Sequence, residues 1–244
     1  GALVAEGDTA EVHVAVEEGD PCQLMYTSGT TGRPKGAVIS HRAVMWNLVN
    51  TMFGREDREG ERALIIGPLY HTAALNNHLT IQVALGGTSI LIRRFDPPHV
   101  LEVIERERAT SVFLVPTMLV RLLEALEDPS RLESLRTIVY GGASMPVDRL
   151  QRGLALLGPI FVQIYGLTES TWPVCALRRE DHRRREGEAE SSWLRRLHSC
   201  GRATTVGAAT IQFSRALRRP TRSSARDCDP ATPGSASATS RTSR

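Results

Sequence analysis

SVFLVPTMLVRLLEALEDPSRLESLRTIVYGG, residues 111–142, carries the pattern on which the fold turns. The run at 111–115, rich in β-branched and aromatic residues, predicts a strand. Pro116 then presets the φ of a first helical turn, and Leu119, Leu122, Leu123 and Leu126 recur at the spacing of one helical face. RTIVY, 136–140, predicts a second strand, followed at once by Gly141 and Gly142. Strand, helix, strand at this cadence implies helices packed on a largely parallel sheet. The loops leaving the strand ends are then where chemistry is expected.

The same cadence extends in both directions. Upstream, CQLMYT (22–27) and GAVI (36–39) read as strands around a Gly-rich turn, and Ser40 can cap a helix through about Phe53. ALIIG (63–67), a helix or broken helix over 73–84, and the strand TSILI (88–92) follow. Asp96 and Pro97 form a strong helix start, an acceptor at the cap and a fixed φ just inside it, for a helix to about Arg108. Downstream, a helix carrying Leu150, Leu154 and Leu157 leads to the strand IFVQI (160–164). The expected fold class is α/β, layered and largely parallel β-sheets flanked by helices, over residues 1–177.

After 177 the pattern fails. RREDHRRREGEAES (178–191) is a mixed-charge run expected to be a solvated loop, within a remnant of the same domain extending to 202. From 203 to 244, Ala, Ser, Thr and Arg fill 29 of 42 positions, too little apolar surface to offset the entropy of ordering, which predicts a disordered tail. The chain opens on Gly-Ala-Leu-Val without Met and is expected to be cut from a longer one.

At 244 residues, 41% hydrophobic and 23% charged, the chain excludes a disulfide miniprotein and predicts a sizeable core. No apolar run approaches a membrane span and no signal peptide is recognisable. Four scattered cysteines, with no C-x-x-C, suit free thiols in a reducing compartment, and the expected location is cytoplasmic. Peripheral membrane contact and oligomeric state stay open. Residues 1–177 hold 15 basic and 20 acidic side chains, whereas 178–244 hold 15 and 7, so the net charge of +3 comes from the tail. A nucleic-acid-binding arm would need interleaved aromatics, and Phe213 is the one aromatic residue beyond 202; no nucleic-acid partner is expected. His71 and His78 could form a metal pair on one helix face, but no nearby Cys, Asp or Glu completes the coordination.

The strongest local signal is YTSGTTGRPKG, 26–36. Gly29 and Gly32 allow the backbone to turn and approach an anion. Thr27, Ser28, Thr30 and Thr31 add hydroxyl donors. Lys35, the single lysine among 30 basic residues, adds a compact ammonium. The arrangement suits a polyphosphate, although it departs from the Walker pattern, in which Ser or Thr follows Gly-Lys directly. YGGAS (140–144) and IYGLTEST (164–171) each place glycine just after a predicted strand. In the second, Tyr165 offers a face for a base, Thr168 a hydroxyl and Glu169 a hard carboxylate suited to magnesium.

These stretches resemble the AMP-forming adenylating enzymes, the superfamily of acyl-CoA synthetases, peptide-synthetase adenylation domains and beetle luciferase. YTSGTTGRPKG is similar to their phosphate-binding signature and YGLTES to their second signature, with PLYHTAAL (68–75), YGGAS and SCGR (199–202) in the family's order. The resemblance covers about Val14 to Arg202 and is strongest toward fatty-acyl or related carboxylate-CoA ligases. It implies a carboxylic acid, a fatty acid foremost, activated by ATP to acyl-adenylate with release of pyrophosphate and passed to coenzyme A. ATP, Mg²⁺ and coenzyme A are the implied cofactors and co-substrates. By the same resemblance Thr27, Ser28, Gly29, Thr30, Thr31, Gly32 and Lys35 would hold the phosphates. Gly141, Gly142, Ala143, Tyr165 and Gly166 would hold the adenine, Thr168 would touch phosphate, Glu169 would bind Mg²⁺, and His71 would border the acyl pocket. Lys35, Thr168 and Glu169 are the implied catalytic set.

The sequence also departs from the family. After Arg202 the expected Gly-Val-x-Val strand and ribose-binding aspartate give way to the low-complexity tail, as a reading-frame shift would produce. The C-terminal domain and an N-terminal part of the large domain are expected to be missing and the chain weakly active or inactive. A peptide-synthetase adenylation domain and a non-catalytic nucleotide-binding protein are the alternative readings.

Overall fold

The computed structural model describes residues 7, 13–28, 33–198 and 204–205. Gly29, Thr30, Thr31 and Gly32 of the first motif, SCGR, and most of the 203–244 tail therefore lie outside the described residues.

Two strands, β1 (Pro21–Thr27) and β2 (Lys35–Ser40), pair antiparallel, with Thr27 opposite Lys35, so both ends of the Gly-rich turn are fixed side by side. The Ser40 side chain accepts from the Ala43 amide and starts α1 (His41–Arg55), two residues longer than the apolar spacing suggests. The larger sheet comprises β3 (Arg62–Ile65), β4 (Thr88–Leu91), β5 (Ser111–Leu114), β6 (Thr137–Gly141), β7 (Phe161–Tyr165), β8 (Cys175–Leu177) and β9 (Thr204–Thr205). Its order is β4-β3-β5-β6-β7-β8-β9; pairings from β4 through β7 are parallel and the last two antiparallel.

Each parallel step is joined by a helical crossover. The first is broken: α2 (Thr72–Ala74), a π-helical turn (Leu75–Leu79) and α3 (Thr80–Ala84). Then come α4 (Pro97–Glu107), capped by Asp96, α5 (Pro116–Ala125) and α6 (Val147–Leu157). The main core lies between the sheet and these helices: Leu119, Leu122 and Leu123 of α5 pack with Val112, Leu114, Ile138 and Phe161. Of the α6 leucines only Leu150 is fully buried; Leu154 and Leu157 sit at the margin.

The charged run differs in part from a solvated loop. Arg183–Gly187 are exposed, but His182, one residue before them, is buried at 1% exposure. Its Nδ1 donates to the Arg178 carbonyl at 2.7 Å, which leaves Nε2 to accept from the Tyr140 hydroxyl at 2.9 Å. A further helix, α7 (Glu190–His198), follows, and Trp193 Nε1 donates to the His182 carbonyl. The loop is anchored by one aromatic-histidine pair that charge counting does not register.

A second departure is the polar content of the α1 interface. Arg55 is fully buried, pairs with Asp57 at 3.1 Å and donates to the Asn77 carbonyl. Asn47 and Thr51, two turns and one turn earlier, donate to the Asn76 carbonyl and to Asn77 Oδ1. The π-helical turn thus has the Asn76 and Asn77 carbonyls and the Asn77 side-chain oxygen satisfied by α1 side chains, which supports a local break in α-helical bonding.

Candidate active site

The site forms where the carboxyl ends of the parallel strands meet the β1–β2 hairpin. The chain leaving β3 reaches His71, whose Nδ1 accepts from the Ala73 amide at 3.2 Å and caps α2. That bond assigns the ring proton to Nε2. At the end of β6, Gly141 runs so close to β7 that a Cβ would lie 2.2 Å from the Ile164 carbonyl oxygen, and Gly142, just beyond the strand, has φ +83°. Side chains at these two positions would push the loop away from its neighbour or strain it. Beyond β7 the chain forms a short 3₁₀ turn, Thr168–Ser170, closed by a hydrogen bond from the Leu167 amide to Ser170 Oγ.

These loops border an open cleft of about 560 Å³ whose lining includes Thr27, Ser28, Lys35 and His71 together with Gly142, Gly166, Thr168 and Glu169. An adjoining cavity of about 400 Å³ is lined by Gly142, Ala143, Tyr165 and Gly166, with the two cavities sharing Trp172 as a wall. Lys35 and Glu169 are exposed, and Tyr165 is 52% exposed. Two sequence segments more than a hundred residues apart therefore present an ammonium, several hydroxyls and a carboxylate to one space.

Oxygen donors are what magnesium prefers, and it is commonly held by one or two carboxylates together with phosphates and water. Glu169 with the Thr168 and Ser28 hydroxyls fits that chemistry. Among the described residues no group of three or more His, Cys, Asp or Glu could hold a metal by itself. The His71–His78 pair is not a metal site. His71 is exposed at the cleft, whereas His78 is fully buried on the π-helical turn with its ring 5.8 Å from Phe113. Burial, reinforced by the Arg55 charge, holds the His78 imidazole well below its usual pKa and therefore neutral.

Thr72 and Trp172 line the cleft without having been singled out from the sequence. Thr72 lies within PLYHTAAL beside His71, and Trp172 lies one residue past IYGLTEST, so a boundary drawn one residue wider would include it. Trp172 is 5% exposed and stands edge-on to Phe113 at 6.5 Å.

A family model for AMP-binding enzymes matches residues 2–209, and the chain belongs to that family. The match extends past residue 202, into the start of the Ala/Ser/Thr/Arg-rich segment. The chain is 46% identical over 169 residues to the feruloyl-CoA synthase of an Amycolatopsis species, covering 66% of this chain and 33% of that protein. It is 38% identical over 189 residues to the indoleacetate–CoA ligase of Aromatoleum aromaticum, covering 77% of this chain and 37% of that protein. The fold resembles that of the Bacillus subtilis o-succinylbenzoate coenzyme A synthetase in complex with ATP and magnesium ion, with TM-score 0.65 and 32% identity over 73% of this chain and 37% of that one. The chain thus spans about a third of the length of the curated relatives it matches. Among the described residues no helix is long and apolar enough to cross a membrane.

Proposed function

We propose that this chain carries the phosphate- and magnesium-binding part of an adenylation site, in a protein that activates a carboxylic acid with ATP and transfers the acyl group to coenzyme A. The observation that carries the proposal is the shared cleft: Thr27, Ser28 and Lys35 line the same space, of about 560 Å³, as Thr168 and Glu169. Family membership supports the reaction class, and the CoA ligases among its relatives support the thiol acceptor. A free carboxylate is a poor acyl donor because its oxygen leaves badly. Attack on the α-phosphorus of ATP converts that oxygen into part of a phosphate leaving group.

In this reading Lys35 and the hydroxyls of Thr27 and Ser28 neutralise and orient the β- and γ-phosphates, favouring departure of pyrophosphate. Gly29, Thr30, Thr31 and Gly32 complete that loop. Bound Mg²⁺ would offset charge building on the phosphate oxygens, with Glu169 as its protein ligand. Thr168 donates to phosphate, and Tyr165 with Gly141, Gly142, Ala143 and Gly166 takes the adenine. His71, with its proton on Nε2, is a neutral donor for the incoming carboxylate. The acid is a fatty or aryl acid, since the relatives include a medium/long-chain fatty-acid ligase of Mycobacterium tuberculosis as well as the feruloyl enzyme. A reducing, cytoplasmic setting suits the free thiol of Cys22.

The test is Mg·ATP binding together with carboxylate-dependent ATP–pyrophosphate exchange over fatty and aryl acids. Lys35→Ala and Glu169→Ala are each expected to lower exchange by about a hundredfold, and Glu169→Ala to raise the Mg²⁺ concentration required. Binding of Mg·ATP without exchange for any acid would favour the non-catalytic nucleotide-binding alternative. Binding unchanged in both variants would reject the site assignment.

A further inference from the structure

Three strands of sequence converge at the cleft, and one chain of hydrogen bonds, buried at its Thr72 end, joins all three. Gln23 of β1, four residues before Thr27, exchanges two hydrogen bonds with the Asn76 side chain: Gln23 Nε2 donates to Asn76 Oδ1 and Asn76 Nδ2 to Gln23 Oε1, both at 2.9 Å. The second Asn76 Nδ2 hydrogen goes to Thr72 Oγ1 at 3.0 Å, one residue after His71. Thr72 Oγ1 in turn donates to the Thr171 carbonyl at 3.0 Å, two residues after Glu169.

The direction of the chain is fixed by its last member. The Thr171 carbonyl can only accept, so Thr72 must donate there and accept from Asn76, and the Asn76 amide cannot be flipped without setting two acceptors face to face. Asn76 is fully buried and Thr72 is 1% exposed, so the Asn76–Thr72 and Thr72–Thr171 bonds are shielded from water and leaving one unmade is costly, while the two bonds to Gln23 are part-buried. The far end needs such restraint. Thr171 and Trp172 have φ of +64° and +67°, a backbone region that β-branched and bulky residues avoid and keep only when neighbours enforce it.

We propose that Thr72 and Asn76 are positioning residues that lock the β1 phosphate strand, the His71 turn and the Thr168–Glu169 turn into one geometry, with Gln23 as the anchor on the phosphate side. None touches the reacting atoms in this scheme; each acts through the loop it holds. The inference rests on the adenylation reading only for its consequence in nucleotide binding, since the mechanical coupling between loops stands on the hydrogen bonds alone.

The test measures both levels on the full chain. Amide hydrogen exchange is recorded for Ser170, Thr171 and Val174 in wild type, Thr72→Val, Thr72→Ser and Gln23→Leu, with Val139 of β6 as the reference, and Mg·ATP affinity is measured for the same set. Thr72→Val is expected to speed exchange at Thr171 on the order of tenfold, Thr72→Ser to restore it, and Gln23→Leu to speed it through Asn76 although it alters a different strand. Mg·ATP affinity is expected to fall about tenfold in Thr72→Val, to recover in Thr72→Ser, and to fall no further when Gln23→Leu is added. Exchange at Thr171 unchanged in Thr72→Val, or speeded equally at Val139, overturns the proposal. Absence of Mg·ATP binding by wild type would count against the adenylation reading, while the exchange rates would still decide the coupling.

Discussion

His182 shows how a single buried side chain can report on the whole fold. Burial lowers its pKa to about 4, the bond to the Arg178 carbonyl and the Asp181 charge opposing only part of that effect. The native state therefore holds the ring neutral while the unfolded chain, at its ordinary value near 6.5, takes up a proton. Unfolding binds more protons between these two values, so stability is complete above about pH 6.5 and is lost progressively as pH falls toward 4. The loss amounts to at most about 3 kcal/mol. Urea unfolding at pH 7 and pH 4.5 should show it. His78 has the same sign and stays in place in His182→Phe, so the expected outcome is a flatter pH dependence in that variant, at the expense of the Tyr140 hydroxyl's bond to His182 at every pH. Equal slopes in both proteins would show that His182 is not held neutral.

Among the helices, α5 is the clearest test of the core, because three of its leucines are buried against four neighbouring strand residues. Leu122→Ala is expected to destabilise the protein by about 2–5 kcal/mol in chemical denaturation. Leu154→Ala, at the margin of α6, should cost well under half of that. This contrast also marks how far the sequence could be read. Leu119, Leu122 and Leu123 announce both helix and buried face, and Asp96-Pro97 announces a start, because each signal is local. The α6 leucines share the same spacing, yet how deeply each is buried depends on what lies opposite, which spacing does not encode. The broken crossover at 72–84 is legible only as an interruption. Its π-helical turn exists because Asn47, Thr51 and Arg55 of α1 satisfy it from outside, and the run Asn76-Asn77-His78 on a buried face is the one trace of that partnership in the sequence. For the site, the two signature stretches were legible as donors suited to phosphate and magnesium, and the structure brings them to one cleft, whereas Thr72 and Trp172 enter that cleft through tertiary contact.

The molecule as a whole places two distant signatures around one cleft by building them on separate supports, a hairpin for Thr27, Ser28 and Lys35 and the ends of β6 and β7 for Gly142, Thr168 and Glu169. Removing either support should abolish nucleotide binding even if the other remains folded, since neither alone presents both an ammonium and a carboxylate. A paramagnetic ion reads this arrangement directly. Titrating isotope-labelled protein with Mn²⁺·ATP and following backbone amide signals is expected to broaden Ser28 and Lys35 together with Thr168, Glu169 and Ser170, at one nucleotide concentration, while β4 and α4 stay sharp. Broadening confined to one of the two loops, or arriving at different concentrations for each, would contradict a single ATP bridging the cleft.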